Sequence, residues 1–255
     1  MSSYGLWLSA AGMKVSEHRQ TLLANNMANM ETTGFKEDLA VVTRRQLESR
    51  TPQGGLGLEH PVWDGLPGGM NVNPPHVNHS PGTTEATGNP LDVAIHGKGF
   101  FAVRDGSNTR YTRDGRFTMN RSGELVLSAG NGEWKVLDES DAPIVLNVAG
   151  GAAEFLANGS VKQDGQEVGK LAVRKTNDEQ KLRKVGANLF EATTGQMVPS
   201  ETVVSSGMVE RSNFDTMNGL VAMIEASRAY ELNATMLKLQ DDAVGQAVSR
   251  IARVA

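Results

Sequence analysis

Residues 215–254 read DTMNGLVAMIEASRAYELNATMLKLQDDAVGQAVSRIARV, and the spacing of their side chains decides the fold. One stripe alternates steps of three and four residues through Leu220, Met223, Ser227, Tyr230, Ala234, Leu237, Asp241, Val244, Val248 and Ile251. This is the heptad pattern of a helix that packs against other helices, with two polar interruptions. We predict one helix from Asp215 to Val254, roughly 60 Å long, whereas a compact globule of this size has a diameter of about 45 Å. The helix should therefore find partners outside any single globule.

A second helix is predicted near the other end, from Leu6 to Met30. This stretch contains no Pro and a single Gly, Gly12, and it is rich in residues that favour helices. Its own stripe of three- and four-residue steps is formed by Leu8, Ala11, Val15 and Leu22, with His18, Asn25 and Asn29 as polar members. This helix is the nearest candidate partner for the C-terminal stripe.

The end of this second helix is rich in asparagine, since residues 24–30 read ANNMANM. Asn is unfavourable inside a helix because its amide competes for backbone hydrogen bonds, so the stretch could be a fraying helix end. Alternatively, side-chain amides on a packed face can fix the register between helices. The sequence leaves both interpretations open, and the following ETTG at residues 31–34 predicts a turn.

Between the helices the sequence changes character. Residues 36–90 contain most of the nine prolines and are predicted to form an extended Gly- and Pro-rich connector. From 91 to 204, short alternating stretches are separated by Asp-Gly, Asn-Gly and Ser-Gly pairs, which are typical of β-hairpins. The predicted fold class is α+β: long N- and C-terminal helices pair as a coiled-coil-like domain, and a central, mostly antiparallel β domain is inserted between them. The predicted segments are 1–35, 36–90, 91–204 and 205–255.

The composition excludes several classes of protein. The 25 Lys and Arg residues against 29 Asp and Glu give a net charge of −4, which offers no basis for nucleic-acid binding. Because the chain has no Cys, it forms no disulfide framework, thiolate metal site or cysteine nucleophile. No run approaches the ~18 apolar residues that span a bilayer, so we expect no direct membrane insertion. The first residues also lack the pattern of a cleavable signal peptide.

Two local patterns could carry chemistry, and both favour a structural interpretation. Residues 97–102 (GKGFFA) nearly match the dinucleotide fingerprint, but an alternating stretch follows where a helix would have to begin, so we predict a hairpin turn. His76 and His79 form a close pair in the connector, with His60 upstream, and polar loop residues are favoured there over a metal site. No G-x-S-x-G elbow or phosphate loop occurs. We therefore predict no catalytic residues, no cofactor and no metal.

Separated motifs across nearly the whole chain resemble one known family. Residues 24–36 (ANNMANMETTGFK) closely resemble the N-terminal signature of bacterial flagellar rod and hook proteins. Residues 91–101 (LDVAIHGKGFF) and 111–117 (YTRDGRF) resemble the start of their β domain. Residues 208–213 (MVERSN) and 223–233 (MIEASRAYELN) are similar to their C-terminal helix. Within this family the length and the single β domain are most like the rod members, the proximal rod protein first and the distal one next.

The resemblance implies a non-enzymatic axial subunit of the flagellar basal body. Such proteins pass unfolded through the flagellar type III export apparatus, without a cleaved signal peptide, and assemble in the periplasm. Their terminal helices pack into the inner wall of a tube that transmits torque from motor to hook, and the β domain lies outside. The implied partners are other copies of the chain, neighbouring rod proteins and the export apparatus, with hook-side axial proteins and the surrounding rings as further candidates.

The assembly residues expected on this interpretation lie mainly in the two helices. We predict that helix–helix contacts bury Leu8, Val15, Leu22, Leu220, Met223, Tyr230, Leu237, Val244 and Val248. Asn25, Asn26 and Asn29 would set the register of these contacts. Gly34 would let the chain turn towards the connector, and Phe35 beside it belongs to the same assembly set.

Two rival functions differ in class. One is a carbohydrate-active or metal-dependent β enzyme with helical oligomerisation arms, in which His76 and His79 or converging carboxylates would form the site. The other is a scaffold or adhesin-like binding module that works as a discrete oligomer. Deleting residues 1–35 distinguishes an enzyme from a rod subunit. The β domain of an enzyme should keep its activity, whereas a rod subunit should lose export and assembly.

Overall fold

The computed structural model describes residues 3–44, 69–106, 108–130, 133–193, 197–200 and 202–251. Within these residues two long helices, α1 (Ser3–Ala28) and α2 (Thr216–Ile251), flank a region of short strands. In chain order the strands are β1 (Asp38–Leu39), β2 (Val42–Arg44), β3 (Met70–Val72), β4 (His76–Val77), β5 (Thr84–Ala86), β6 (Val93–His96), β7 (Phe100–Asp105), β8 (Asn108–Thr112), β9 (Phe117–Met119), β10 (Leu125–Leu127), β11 (Lys135–Val136), β12 (Ala153–Phe155), β13 (Ser160–Gln163), β14 (Gln166–Lys170), β15 (Val173–Lys175), β16 (Leu182–Lys184), β17 (Leu189–Ala192), β18 (Val198–Pro199), β19 (Val203–Ser206) and β20 (Met208–Glu210).

The two predicted helices are confirmed, with small differences at their ends. Helix α1 ends at Ala28, two residues before the predicted end. Helix α2 begins at Thr216 because Asp215 caps it: the Asp215 carboxylate accepts hydrogen bonds from the backbone N–H groups of Met217 (3.0 Å) and Asn218 (3.2 Å). Its 36 residues correspond to a length of about 54 Å. No helix in the described part of the chain is long and apolar enough to cross a bilayer.

One compact unit contains both helices. It comprises Met1–Met27, Asp38–His76 and Asp215–Ala255, and the N- and C-terminal helices are in contact within it, as predicted. Strands β2 and β3 of the same unit pair antiparallel, with Val42 opposite Val72. The ring of Trp7 on α1 lies so close to Gly69, just before β3, that any side chain at position 69 would collide with it.

The second compact unit is built almost entirely of antiparallel strands. It comprises Ala28–Glu37 and Val77–Phe214. Its largest sheet follows the order β16-β17-β8-β7-β11-β10-β9, with β15 and β18 branching from β7. Three further sheets are β12-β13-β14, β6-β19 and β5-β20. The α+β class with a central antiparallel β region is therefore confirmed.

Several of the turn pairs found in the sequence join neighbouring strands, whereas Asp114–Gly115 lies between β8 and β9, which do not pair. Asp105–Gly106 lies between β7 and β8, and Asp164–Gly165 between β13 and β14. Asp164 and Gly165 both have positive φ (52° and 79°), as a two-residue type I′ hairpin turn requires. The predicted turn at Asn131–Gly132 lies outside the described residues.

The hairpin predicted at residues 97–99 is wrong, although the strand after it is confirmed. Strand β6 pairs with β19, whereas β7 pairs with β8, β11 and β15. The turn therefore carries the chain from one sheet to another, through Gly97 and Gly99 at φ of 96° and 146°. Alternation in a sequence identifies strands but does not say which strand each one pairs with, and this is why the prediction failed.

The core of the β unit is apolar and continuous across its sheets. Three phenylalanine rings, those of Phe101, Phe117 and Phe155, form a row with ring centroids 5.1 Å and 6.5 Å apart. Aliphatic side chains from eight strands surround this row, among them Val93, Val103, Leu125, Leu127, Val136, Val161, Val173, Leu189 and Val204. This core contains no residue of α1 or α2, so we expect the β unit to fold without the helices.

Candidate functional site

The face of α2 that packs on α1 includes small and polar side chains. The side-chain amides of Asn233 and Gln240 lie against Gly12 and Gly5, respectively. A Cβ built on Gly12 would lie 2.7 Å from Asn233 Oδ1, and a Cβ built on Gly5 would lie 3.0 Å from Gln240 Nε2. Ala226, a further heptad away on the same face, is 6% exposed. On α1 the buried Ser9 lies between Gly5 and Gly12, and the buried Val15 and Ser16 follow Gly12. At the two glycines the helices can approach closely, because no side chain projects from α1 there.

The exposed large apolar side chains of α2 lie mainly on its other faces. Counting roughly 100° per residue, Met217 lies opposite Ala226, and Val221, Ile224 and Leu239 lie within about 40° of that direction. In the described part of α2, seven such side chains are between 47% and 74% exposed; we call them the outer face: Met217, Leu220, Val221, Ile224, Leu232, Met236 and Leu239. Exposed large apolar side chains in such number are typical of surfaces that take part in protein–protein contacts.

The predicted helix residues are distributed between these surfaces. In the single chain Val15 is buried; Leu22, Met223, Tyr230 and Leu237 are partly buried; and Leu8, Leu220 and Val244 are exposed. The side chain of Val248 lies outside the described residues. The contacts between α1 and α2 thus use a face of α2 that is rotated by about one residue from the stripe seen in the sequence.

The three predicted asparagines occupy different environments. Asn26 is 1% exposed and forms two hydrogen bonds to the backbone of Asp38, donating to its carbonyl (2.9 Å) and accepting from its N–H (3.0 Å). This pair ties the end of α1 to the start of β1. Asn29 accepts a hydrogen bond from the hydroxyl of Thr32 (3.3 Å) within the turn, and Asn25 is exposed.

Gly34 and Phe35 lie where the chain leaves α1 and joins the β unit. Gly34 has φ of 68°, and any side chain there would collide with the backbone of Arg113 and Asp114. Its N–H donates to the carbonyl of Glu210 (2.7 Å). Phe35 is 2% exposed, and the Lys184 amine lies 3.8 Å from the centre of its ring. Position 34 therefore needs glycine both for its conformation and for the close backbone approach.

Next to this turn, three buried charged side chains form what we call the ion junction: Lys36, Arg113 and Glu210. The Lys36 amine lies 2.5 Å from Glu210 Oε1 and donates to the Ser80 carbonyl (2.7 Å). Glu210 Oε2 accepts from Arg113 Nη1 (3.0 Å). The exposed side-chain fractions of Lys36, Arg113 and Glu210 are 0%, 3% and 1%. The junction joins three chain segments that lie far apart in the sequence.

The ion junction is closed to substrates. Burial lowers the pKa of the Lys36 amine, and the Glu210 carboxylate only partly offsets this. Burial also lowers the pKa of Arg113, again opposed by Glu210. Arg113 Nη2 donates to the Gly97 carbonyl (2.6 Å), and the guanidinium lies 5.3 Å from the Phe100 ring centre. Because these groups bind one another and have almost no contact with solvent, their arrangement serves structure rather than acid–base catalysis.

The histidine candidates do not form a metal centre in the described part of the chain. The His79 ring packs edge-on against Phe100 and Phe190, with centroids 5.6 Å and 5.3 Å away. No group of three or more His, Cys, Asp or Glu side chains with metal-binding geometry occurs among the described residues. His60 lies outside them.

Sequence reasoning missed the ion junction, although a signal for it was present. Lys36, Arg113 and Glu210 each lie within a different motif that carries the family resemblance, and Asn213 lies in the same motif as Glu210. Asn213 accepts from the Glu37 N–H (2.8 Å) and donates to the Asn78 carbonyl (2.8 Å), so it fastens the same segment. These motifs contain charged and amide residues although they match no catalytic pattern, and this hinted at a structural role. The spacing of residues along the chain could not show that the motifs lie together in the fold.

Comparison with known proteins identifies the family. Residues 94–166 match the domain described as the flagellar hook protein FlgE/F/G D1 domain, and residues 205–250 match the flagellar basal body rod FlgEFG protein C-terminal. The chain is 33% identical to the flagellar basal-body rod protein FlgF of Caulobacter vibrioides, over 91% of each chain. It belongs to the flagellar basal-body rod FlgE/F/G family.

Relatives from two branches of the FlgE/F/G family match at similar identity. The rod protein FlgG of Buchnera aphidicola subsp. Acyrthosiphon pisum is 32% identical, over 92% of this chain and 95% of its own. FlgF of Mesorhizobium japonicum is 28% identical, over 96% of this chain and 97% of its own. The chain is thus a structural, non-enzymatic subunit of the flagellar basal-body rod.

Proposed function

We propose that this chain is the proximal rod protein and that it polymerises through the outer face of α2. On this proposal it passes unfolded through the flagellar type III export apparatus and becomes part of the shaft that transmits torque from motor to hook. The supporting observation is the distribution of side chains on α2: Ala226, Asn233 and Gln240 lie on the face towards α1, whereas seven large apolar side chains are exposed.

The outer face is large enough to drive assembly. Fully burying a Val, Leu, Ile or Met side chain contributes about 1.5–3 kcal/mol. The outer-face side chains are already partly covered, so each would contribute about half of that on burial between subunits. Seven of them amount to several kcal/mol per subunit, repeated at every subunit of a polymer. The occupant that fits this surface is the outer face of a second rod subunit.

A double substitution on the outer face tests the assembly proposal. Leu232→Gln with Leu239→Gln places polar groups where neighbouring subunits would meet, and we expect loss of motility and of complete rods in isolated basal bodies. The matched control replaces two exposed polar neighbours, Glu231→Gln with Lys238→Gln. Secretion and helix content of the double variant should equal those of the control. Normal rods from the variant with both leucines replaced would contradict the proposal.

Deleting the gene distinguishes a proximal rod protein from a distal one. The support for the proximal rod is the 33% identity to a FlgF protein, beside 32% to a FlgG protein. In the organism that encodes the chain, deleting its gene should stop rod growth before the distal segment, and basal bodies should lack all distal rod protein. Basal bodies with an intact proximal rod and no distal rod would instead identify this chain as the distal protein.

A further inference from the structure

Two contacts of the same kind recur one heptad apart between α1 and α2. Gly12 faces the Asn233 amide and Gly5 faces the Gln240 amide, seven residues apart on each helix and in opposite chain directions. In both contacts a glycine on α1 receives the end of an amide side chain from α2. We call these contacts the glycine–amide layers.

A larger residue at position 12 would force the Asn233 amide to move. A Cβ at position 12 would lie 2.7 Å from Asn233 Oδ1, 2.9 Å from its Cγ and 3.0 Å from its Nδ2. Asn233 is held in place because its Nδ2 donates to the Ala229 carbonyl of its own helix (2.8 Å). The amide could move away only by giving up that hydrogen bond. The contact therefore depends on glycine at position 12.

The contact at Gly5 is looser than the contact at Gly12, but it again pairs a glycine with a side-chain amide. A Cβ at position 5 would lie 3.0 Å from Gln240 Nε2 and 3.2 Å from its Cδ. Gln240 Oε1 is buried and accepts no hydrogen bond within the described residues. A buried amide of this kind costs stability, and buried polar groups between helices are best known for fixing register.

Only one register places both amides on glycines. Sliding α2 by three or four residues would set Asn233 against Ser9 or Ser16, which carry side chains and are already buried. Sliding it by a full heptad would keep one glycine–amide contact and lose the other. A polar side chain at a core position of paired helices favours the register that accommodates it, and without it the helices can pair in other registers.

We propose that the glycine–amide layers set the register in which α1 and α2 pair, and so determine which side chains α2 leaves on its outer face. This role differs from the one that the sequence suggests for Asn25, Asn26 and Asn29. It concerns pairing within one chain and does not depend on polymerisation.

Disulfide trapping in the full-length chain tests the proposal. The chain has no Cys, so a pair introduced at Ser16 and Ala229, one turn beyond the Gly12 layer, reports on this register alone. In this background Gly12→Ala should lower the yield of the intramolecular disulfide at least fivefold. Gly245→Ala, where a Cβ meets nothing within 4 Å, should leave the yield unchanged.

A second substitution separates register from helix formation. Ala favours helices more than Gly does, so Gly12→Ala should not lower helix content, as far-UV circular dichroism would verify. Asn233→Ala with Gly12 kept removes one amide without creating a collision, so the helices should pair in more than one register and the disulfide yield should fall while the helix content stays the same. An unchanged yield in Gly12→Ala or in Asn233→Ala would overturn the proposal. The proposed function is tested separately by the outer-face variants, so failure of one proposal is distinguishable from failure of the other.

Discussion

At the scale of single residues, the ion junction holds two buried cations on one carboxylate. Lys36 and Arg113 both contact Glu210, whose Oε1 also accepts a hydrogen bond from the Gly82 N–H (2.9 Å). Removing one partner of a buried ion pair is costly because the other charge stays buried without compensation. The three residues therefore differ in their contribution to stability. Loss of Glu210 leaves two buried cations without a partner, whereas loss of Lys36 leaves Glu210 paired with Arg113.

Glu210→Gln should therefore destabilise the β unit strongly. We expect a loss of about 3–5 kcal/mol in the free energy of unfolding, measured by urea denaturation of the full chain. The matched control is Glu85→Gln on the neighbouring strand β5, because Glu85 and Arg211 form an exposed pair (57% and 49%) at 3.3 Å. The control should change stability by less than about 1 kcal/mol. Equal losses of stability in the two variants would mean that the buried ion junction stabilises the β unit no more than an exposed ion pair does.

At the scale of elements, the sequence predicts both helices and the strand turns but not which side chains face each other. Heptad spacing suffices to find α2, and Asp-Gly or Asn-Gly pairs suffice to find turns, because these signals are local. Periodicity also assumes that large apolar residues face the helix's own partner. In α2 the positions against α1 include Ala226, Asn233 and Gln240, and seven large apolar residues are exposed, while Met223, Tyr230 and Leu237 are partly buried.

The small inner face of α2 predicts intolerance to larger residues. Ala226→Leu would overpack a position that is 6% exposed, and we expect it to destabilise the helix pair by about 1–3 kcal/mol. The exposed Ala247→Leu on the same helix is the control, since Leu costs little in helix propensity. Thermal melting followed by helical circular dichroism measures both. An Ala226→Leu variant as stable as the control would show that the inner face is loosely packed.

At the scale of the whole molecule, the chain forms a helical unit and a β unit that each take segments from distant parts of the sequence. Residues 28–37 belong to the β unit although they directly follow α1. Sequence composition could not reveal this, because the contacts that fasten the segment join residues far apart in the chain, such as Thr33 with Asn188 and Lys36 with Glu210.

This division predicts different outcomes for two N-terminal truncations. Removing residues 1–27 leaves Phe35 and Lys36 in place, so the urea midpoint of the β unit should stay near that of the full chain. Removing residues 1–37 also removes Lys36 from Glu210 and Phe35 from its buried site, so the midpoint should fall clearly. Equal midpoints would mean that the segment adds no stability to the β unit.

The central claim is that the outer face of α2 is exposed in the single chain and buried between rod subunits. It is tested most directly by the reactivity of a single cysteine introduced at Leu232, which is 68% exposed in a chain without native cysteines. A maleimide reagent should label Leu232→Cys rapidly in the secreted monomer and at least tenfold more slowly in purified basal bodies, whereas Ala226→Cys should be protected in both. Equal labelling of Leu232→Cys in monomer and assembled rod would contradict the account.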